Sequence, residues 1–244
     1  SAFLLNRSSD LICYVYLPEG YEEDPERRYP VMYLFDGHNV FFDEDATYGT
    51  SWGMYDYMEE SGKQLILVSI ECNREGDGRL REYAPVTFED SELGRIEGEG
   101  KRYMHWLIKE LKPYIDGNFR TLPDRENTLI CGSSMGGLMA LYAATTFNHV
   151  FQRAACLSPS LWVAPGKMLE LIARAHIRRD TCIYLDYGAR EMSNHAANAE
   201  ALFSTSHLLM TKGVNLAFRI VPGGTHCEAS WAKQVPIFME CLGV

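Results

Sequence analysis

Thr128-Leu129-Ile130-Cys131-Gly132-Ser133-Ser134-Met135-Gly136-Gly137-Leu138-Met139-Ala140-Leu141-Tyr142-Ala143-Ala144 is the stretch whose reading decides the fold. Its first four residues are an apolar run suited to a buried strand, and its last seven are helix formers. Between them stands Gly-x-Ser-x-Gly, centred on Ser134. A strand–turn–helix unit of this kind exposes its serine on a strained turn, where the hydroxyl is free to act as a nucleophile. The flanking glycines fit because a Cβ has no room beside so tight a turn. A glycine-rich turn with no chemistry would read the same way, so the rest of the chain must decide.

Outward from this unit, strand and helix patterns alternate. Strands are expected over Leu11–Leu17, Pro30–Phe35, Gln64–Ile70, Phe151–Leu157, Thr181–Leu185 and Val214–Val221. The continuous apolar run Gln64–Ile70 is of the kind buried on both faces in a parallel sheet. Helices are expected over Trp52–Glu60, Lys101–Ile115, Lys167–Ile177 and Asn194–Lys212, with a closing helix Glu228–Cys241 interrupted near Pro236. In the second of these, Met104, Leu107, Ile108 and Leu111 recur at helical spacing. The alternation predicts an α/β fold: a mostly parallel central sheet with helices on both faces, in one domain over residues 1–244. Cys72–Gly100 is irregular, and its part Tyr83–Gly100 reads as either a lid or a solvated connector.

Composition narrows the function. With 244 residues, 46% hydrophobic and 23% charged, the chain has the material for a large core and is not disordered. A net charge of −10 argues against nucleic acid or an anionic membrane as the main partner, since phosphate binding needs a basic face. The seven cysteines include no Cys-x-x-Cys pair and several lie in apolar runs, which predicts reduced, buried thiols and a cytoplasmic setting. The N-terminal residues lack the basic start and long apolar core of a secretion signal, and no stretch is long enough to span a bilayer. There is no Gly-x-x-x-x-Gly-Lys-Ser/Thr loop, no dinucleotide fingerprint and no His-Glu-x-x-His. No cofactor and no metal requirement are therefore expected.

A nucleophilic serine needs a histidine base, and the base needs a carboxylate to hold its tautomer. In this fold type the chain order is serine, acid, histidine. Of the histidines after Ser134, His149 sits on the end of the helix that follows that serine, and His176, His195 and His207 fall in helical segments. His226 stands in Pro222-Gly223-Gly224-Thr225-His226, a loop just after the last strand, where α/β sheets place their sites. The acid should follow the strand Thr181–Tyr187, where Asp186 and Glu191 compete. Glu191, beyond Gly188, is better placed to reach His226, whereas Asp186 at the strand end is suited to binding loop N–H groups. The oxyanion hole needs two backbone N–H donors. These are expected from Met135 and from His38, in the loop Phe35-Asp36-Gly37-His38-Asn39 that Gly37 allows to bend.

Asp36-Gly37-His38-Asn39-Val40-Phe41, Gly132-Ser133-Ser134-Met135-Gly136-Gly137, Ser158-Pro159-Ser160-Leu161-Trp162 and Gly223-Gly224-Thr225-His226 with Trp231 come in this order. Together they resemble the putative-esterase (esterase-D-like) family of α/β-hydrolases. That group includes feruloyl and acetyl esterases, S-formylglutathione hydrolases, siderophore esterases of the enterochelin type and mycolyl transferases. The resemblance runs from about Ser9 to Val244. It implies Ser134 as nucleophile, His226 as base, Glu191 in the acid's position, and His38 and Met135 as oxyanion donors. It also implies that Trp162 turns an aromatic ring toward the substrate pocket, and that Arg81-Glu82-Tyr83-Ala84-Pro85 forms a turn beside the site. Gly37 is also expected to line that pocket, and Trp52 and Trp231 are further candidates. The expected activity is hydrolysis of a small-molecule ester, short-chain or sugar-linked, through an acyl-enzyme on Ser134. An acyltransferase or thioesterase with the same machinery, and a non-catalytic binding module on this fold, are the competing readings. Nothing in the sequence fixes the oligomeric state.

Overall fold

The computed structural model describes residues 2–6, 12–191 and 195–244. Leu11 and Asn194, where two predicted elements begin, lie outside the described residues. The strands are β1 (Ala2–Asn6), β2 (Ile12–Tyr16), β3 (Val31–Phe35), β4 (Ile66–Ile70), β5 (Phe88–Asp90), β6 (Gly94–Ile96), β7 (Thr128–Ser133), β8 (Arg153–Leu157), β9 (Cys182–Gly188) and β10 (Asn215–Val221). The helices are α1 (Met54–Ser61), α2 (Gly78–Glu82), α3 (Gly100–Trp106), α4 (Lys112–Asn118), α5 (Met135–Thr146), α6 (Pro165–Arg174), α7 (His195–Thr211), α8 (Glu228–Ala232) and α9 (Val235–Leu242).

One sheet takes the order β1-β2-β4-β3-β7-β8-β9-β10, and β5-β6 form a separate hairpin. From β4 to β10 every pairing is parallel, while β1 and β2 are antiparallel additions at one edge. The sheet is therefore mostly parallel, as the strand–helix alternation predicts. Alternating side chains of β7 separate two buried clusters: Ile130 joins the one that holds Met104, Leu138 and Tyr142, whereas Leu129 and Cys131 join the one that holds Met54, Trp231 and Phe238. Helices cover both faces. α5 is apolar on nearly its whole circumference and is buried along almost its whole length, as such a helix must be.

The differences from the predicted elements have local causes. α1 starts at Met54 rather than Trp52 because Gly53 takes a left-handed φ of 63°. The helix expected over Lys101–Ile115 runs from Gly100 to Asn118, with a π-turn at Leu107–Leu111 between α3 and α4. The closing helix breaks at Lys233 and Gln234, so that Pro236 falls in the first turn of α9, where its missing N–H costs nothing. β1 carried no signal that separated it from a loop.

The chain order reverses between β3 and β7: one half winds outward through β4, the other through β8, β9 and β10. That switch point opens a crevice at the carboxyl ends of the strands, where α/β sheets bind ligands.

Candidate active site

Five turns meet at this crevice, one each after β3, β7, β8, β9 and β10. Ser134 follows β7 directly with φ 56° and ψ −121°, a conformation an L-residue adopts only when its surroundings enforce it. The Ser134 N–H donates to the Leu157 carbonyl at 2.9 Å, and its own carbonyl accepts from Leu138 and Ser160. The turn closes so tightly that a Cβ on Gly132 would lie 2.5 Å from the Gly136 backbone.

His226 stands on the turn after β10. Its Nε2 lies 2.9 Å from Ser134 Oγ, and its Nδ1 lies 3.0 Å from Glu191 Oε2. Glu191 is only 2% exposed, and its other oxygen, Oε1, accepts the Gly188 N–H at 2.7 Å and the Ser158 hydroxyl. The acid and histidine turns touch: a Cβ on Gly188 would sit 2.5 Å from the Gly224 carbonyl, and Arg190 N–H donates to that same oxygen at 2.8 Å. This backbone contact brings β9 and β10 turns close enough for Glu191 to reach the imidazole. Asp186, the competing acid, faces elsewhere. It accepts the Ser158 N–H and the Tyr184 hydroxyl, each at 2.9 Å. Burial pushes its pKa up to about 7, against the pull of those two donors and with the help of the charge on Glu191.

The loop after β3 is braced by an ion pair that the sequence reading missed. Asp36 takes a left-handed φ of 57°, and Arg79 of α2 grips its carboxylate through two hydrogen bonds of 2.6 and 2.8 Å. Its N–H donates to the Tyr83 hydroxyl at 3.1 Å. Burial opposes the Arg79 charge, but Asp36 outweighs it and holds the guanidinium above its ordinary value. The bracing comes from Arg79 and from the buried Tyr83, so the segment read as either a lid or a solvated connector begins as a wall of the site. No pattern in the sequence pairs Asp36 with a residue so far along the chain.

His38 and Asn39 follow in a short 3-10 turn. The His38 ring is buried, with its Nδ1 unpartnered among the described residues, and burial depresses its pKa below the usual imidazole value. Gly37 packs rather than lines: a Cβ there would come within 2.9 Å of the Ile70–Glu71 backbone, so only glycine lets the turn lie on β4. Met135 opens α5, where its N–H has no intrahelical partner and is free for a ligand oxygen.

A cleft of about 380 Å³ surrounds these groups, lined among others by Ser134, His226, His38, Asn39, Arg74 and Glu228. Trp162 does not reach it. Its ring stands edge-to-face on Phe88 at 5.7 Å, in a separate cavity beside the β5-β6 hairpin. The expected pocket role passes to Trp231, which lines the cleft with its ring edge-to-face on His226 at 5.0 Å. Trp52 is buried in the core. His176 and His207 are exposed, and the His195 side chain lies outside the described residues.

The putative esterase family model matches residues 7–237. The chain belongs to this family. This esterase is 23% identical to the uncharacterized protein YbbA of Bacillus subtilis over 238 residues, covering 93% of this chain and 90% of that one. It is 22% identical to the ferri-bacillibactin esterase BesA of the same organism over 241 residues, covering 91% of this chain and 81% of BesA. An IroE-like serine hydrolase from Shewanella oneidensis superimposes with a TM-score of 0.78 at 20% identity, over 98% of this esterase and 79% of that chain. Its fold is thus that of the α/β-hydrolases, and its activity carboxylic-ester hydrolysis. Among the described residues no helix is long and apolar enough to cross a membrane.

Proposed function

We propose that this esterase works through an acyl-enzyme on Ser134, with His226 as general base and acid and Glu191 as its orienting carboxylate. The observation that carries the reading is the position of the His226 ring, with one nitrogen 2.9 Å from the Ser134 hydroxyl and the other 3.0 Å from a buried carboxylate. Glu191 accepts a hydrogen bond from His226 Nδ1–H and so holds the proton on that nitrogen, which leaves the Nε2 lone pair facing Ser134. As Ser134 Oγ bonds to the ester carbonyl carbon, its proton passes to Nε2. The carbonyl oxygen takes up negative charge facing the N–H groups of Met135 and His38. The C–O bond to the alcohol then breaks, and the imidazolium returns the proton to the leaving alkoxide. Water repeats the cycle on the acyl-enzyme and frees the carboxylic acid.

Hydrolysis is favoured over acyl transfer because the His226 side chain is 24% exposed, which leaves water a path to the base. The cleft is of mixed character, and the polar side chains Asn39, Asn73, Arg74 and Glu228 in its lining favour an ester whose acyl or alcohol part carries hydroxyl groups. Sugar-linked esters fit that description, and an ester of the kind for which the ferri-bacillibactin esterase BesA is named is the second candidate. A fluorophosphonate probe tests the core of the reading: it should label wild-type protein on Ser134 and leave Ser134→Ala unlabelled. Failure to label folded wild-type protein would overturn the mechanism. A panel of p-nitrophenyl esters of graded chain length beside acetylated and feruloylated sugars tests the substrate class, with the sugar esters expected to give the higher kcat/KM.

A further inference from the structure

Ser158 belongs to none of the roles above, yet three hydrogen bonds converge on it. Its hydroxyl donates to Glu191 Oε1. Its Oγ accepts the Trp231 indole N–H at 3.0 Å. Its backbone N–H donates to Asp186 Oδ1 at 2.9 Å. The residue is buried and holds a φ of 42°, in the left-handed region. The indole N–H can only donate, so the lone pair it occupies leaves the Ser158 proton one strong acceptor, the carboxylate. The same Trp231 ring stands edge-on to the His226 imidazole, 5.0 Å between centroids and 82° between planes.

We propose that Ser158 and Trp231 form a clamp that positions the acid and the base of the triad together. This rests on the Ser134–His226–Glu191 reading above. Ser158 fixes Oε1 so that Oε2 is the oxygen left for His226, and Trp231 fixes both the Ser158 hydroxyl and the plane of the imidazole. Neither residue touches the reacting atoms, so both are positioning residues. A purely structural Ser158 would matter for stability alone. A positioning Ser158 lowers kcat while KM stays constant.

Two substitutions separate the hydroxyl from the backbone. Ser158→Ala removes the hydroxyl and keeps the strained φ, whereas Ser158→Gly removes the hydroxyl and relieves it. Both keep the N–H to Asp186. Each is expected to lose about 10- to 100-fold in kcat, the worth of a hydrogen bond to a charged group, with KM changed less than twofold. The fluorophosphonate labelling rate of Ser134 should fall by the same factor. Trp231→Phe keeps the ring and removes the N–H, and should lose a smaller factor in the same direction; it also decides the matter if the Ser158 variants fail to fold. Folded variants that label and turn over at the wild-type rate would overturn the clamp, as would a loss in Ser158→Ala that Ser158→Gly restores. If wild-type protein itself does not label, the fault lies in the triad reading instead.

Discussion

Asp186 allows the sharpest test of the site's electrostatics. It is 1% exposed, and burial carries its pKa from 3.8 to about 7. In the unfolded chain it ionises near its ordinary value, so between about pH 4 and pH 7 the folded protein holds a proton that the unfolded chain has released. Folded stability from this group is thus fully present below pH 4, falls as pH rises through that window, and levels off above it. The full difference converts to about 4 kcal/mol, of which more than half falls between pH 5 and pH 8. Asp186→Asn removes the titration at nearly constant shape. The amide oxygen still accepts the Ser158 N–H, the amide nitrogen donates to Tyr184, and the Tyr184 hydroxyl turns its proton to Gln234 Oε1, already 3.3 Å away. Any fixed cost of that rearrangement is independent of pH. Urea unfolding of both proteins at several pH values should therefore show the variant gaining about 2 to 3 kcal/mol on wild type between pH 5 and pH 8. A difference that stays flat over that range, or that shrinks, would refute the assignment of a protonated Asp186 beside Glu191.

The triad makes two further quantitative claims. Ser134→Ala and His226→Ala should each lower kcat by several orders of magnitude, about 10⁴-fold or more, with the double variant little worse than either single, since the two act as a unit; additive losses measured on a p-nitrophenyl ester would break that claim. Glu191→Gln should cost more than Glu191→Ala. The donors Gly188 N–H and Ser158 hydroxyl keep the amide oxygen on their side, so the amide NH₂ meets His226 Nδ1 and forces the proton onto Nε2, the wrong tautomer for taking the Ser134 proton. Equal kcat values for the two variants would remove the orienting role from Glu191. Trp162→Ala should leave KM for small and bulky esters within about twofold of wild type, because its ring packs on Phe88 outside the cleft; a KM rise confined to bulky esters would place it back in the pocket.

What the sequence displayed well was whatever local physics dictates. The strand, turn and helix around Ser134 are contiguous, and Gly132 is needed within that same turn, so one short stretch contained the whole argument. The glycines before His226 and the Gly188 before Glu191 could also be read locally as turns, and chain order then paired them. The misjudged residues depended on distant neighbours. The segment around Trp162 points to a pocket role, but its ring packs on Phe88 of β5, a neighbour far away in the chain. The grip of Arg79 on Asp36 joins an irregular segment to a strand end, and neither partner carries a periodic signal. Ser158 was visible only as part of Ser-Pro-Ser-Leu-Trp, where its hydroxyl has no local partner; its acceptor lies 33 residues on and its donor 73.

A regularity joins the site to the sheet beneath it. Among the described residues, four other than glycine have positive φ: Asp36, Ser134, Ser158 and Ala164. The first three are the residues immediately after β3, β7 and β8, strands that lie side by side in the sheet. At each of these strand ends the chain turns abruptly through a conformation costing about 1–3 kcal/mol, where a relaxed turn would carry the side chain on along the strand. The three side chains that result are, in the proposed mechanism, the brace of the oxyanion loop, the nucleophile and the anchor of the acid. Parallel strands buried on both faces are the part of an α/β protein least able to yield, so the strain is held by the sheet rather than relaxed into the loops. Glycine at these positions would relieve the strain, but it would delete the carboxylate or hydroxyl that the turn exists to present. That the three are Asp, Ser and Ser, each with a side chain engaged in the site, is why the strain persists.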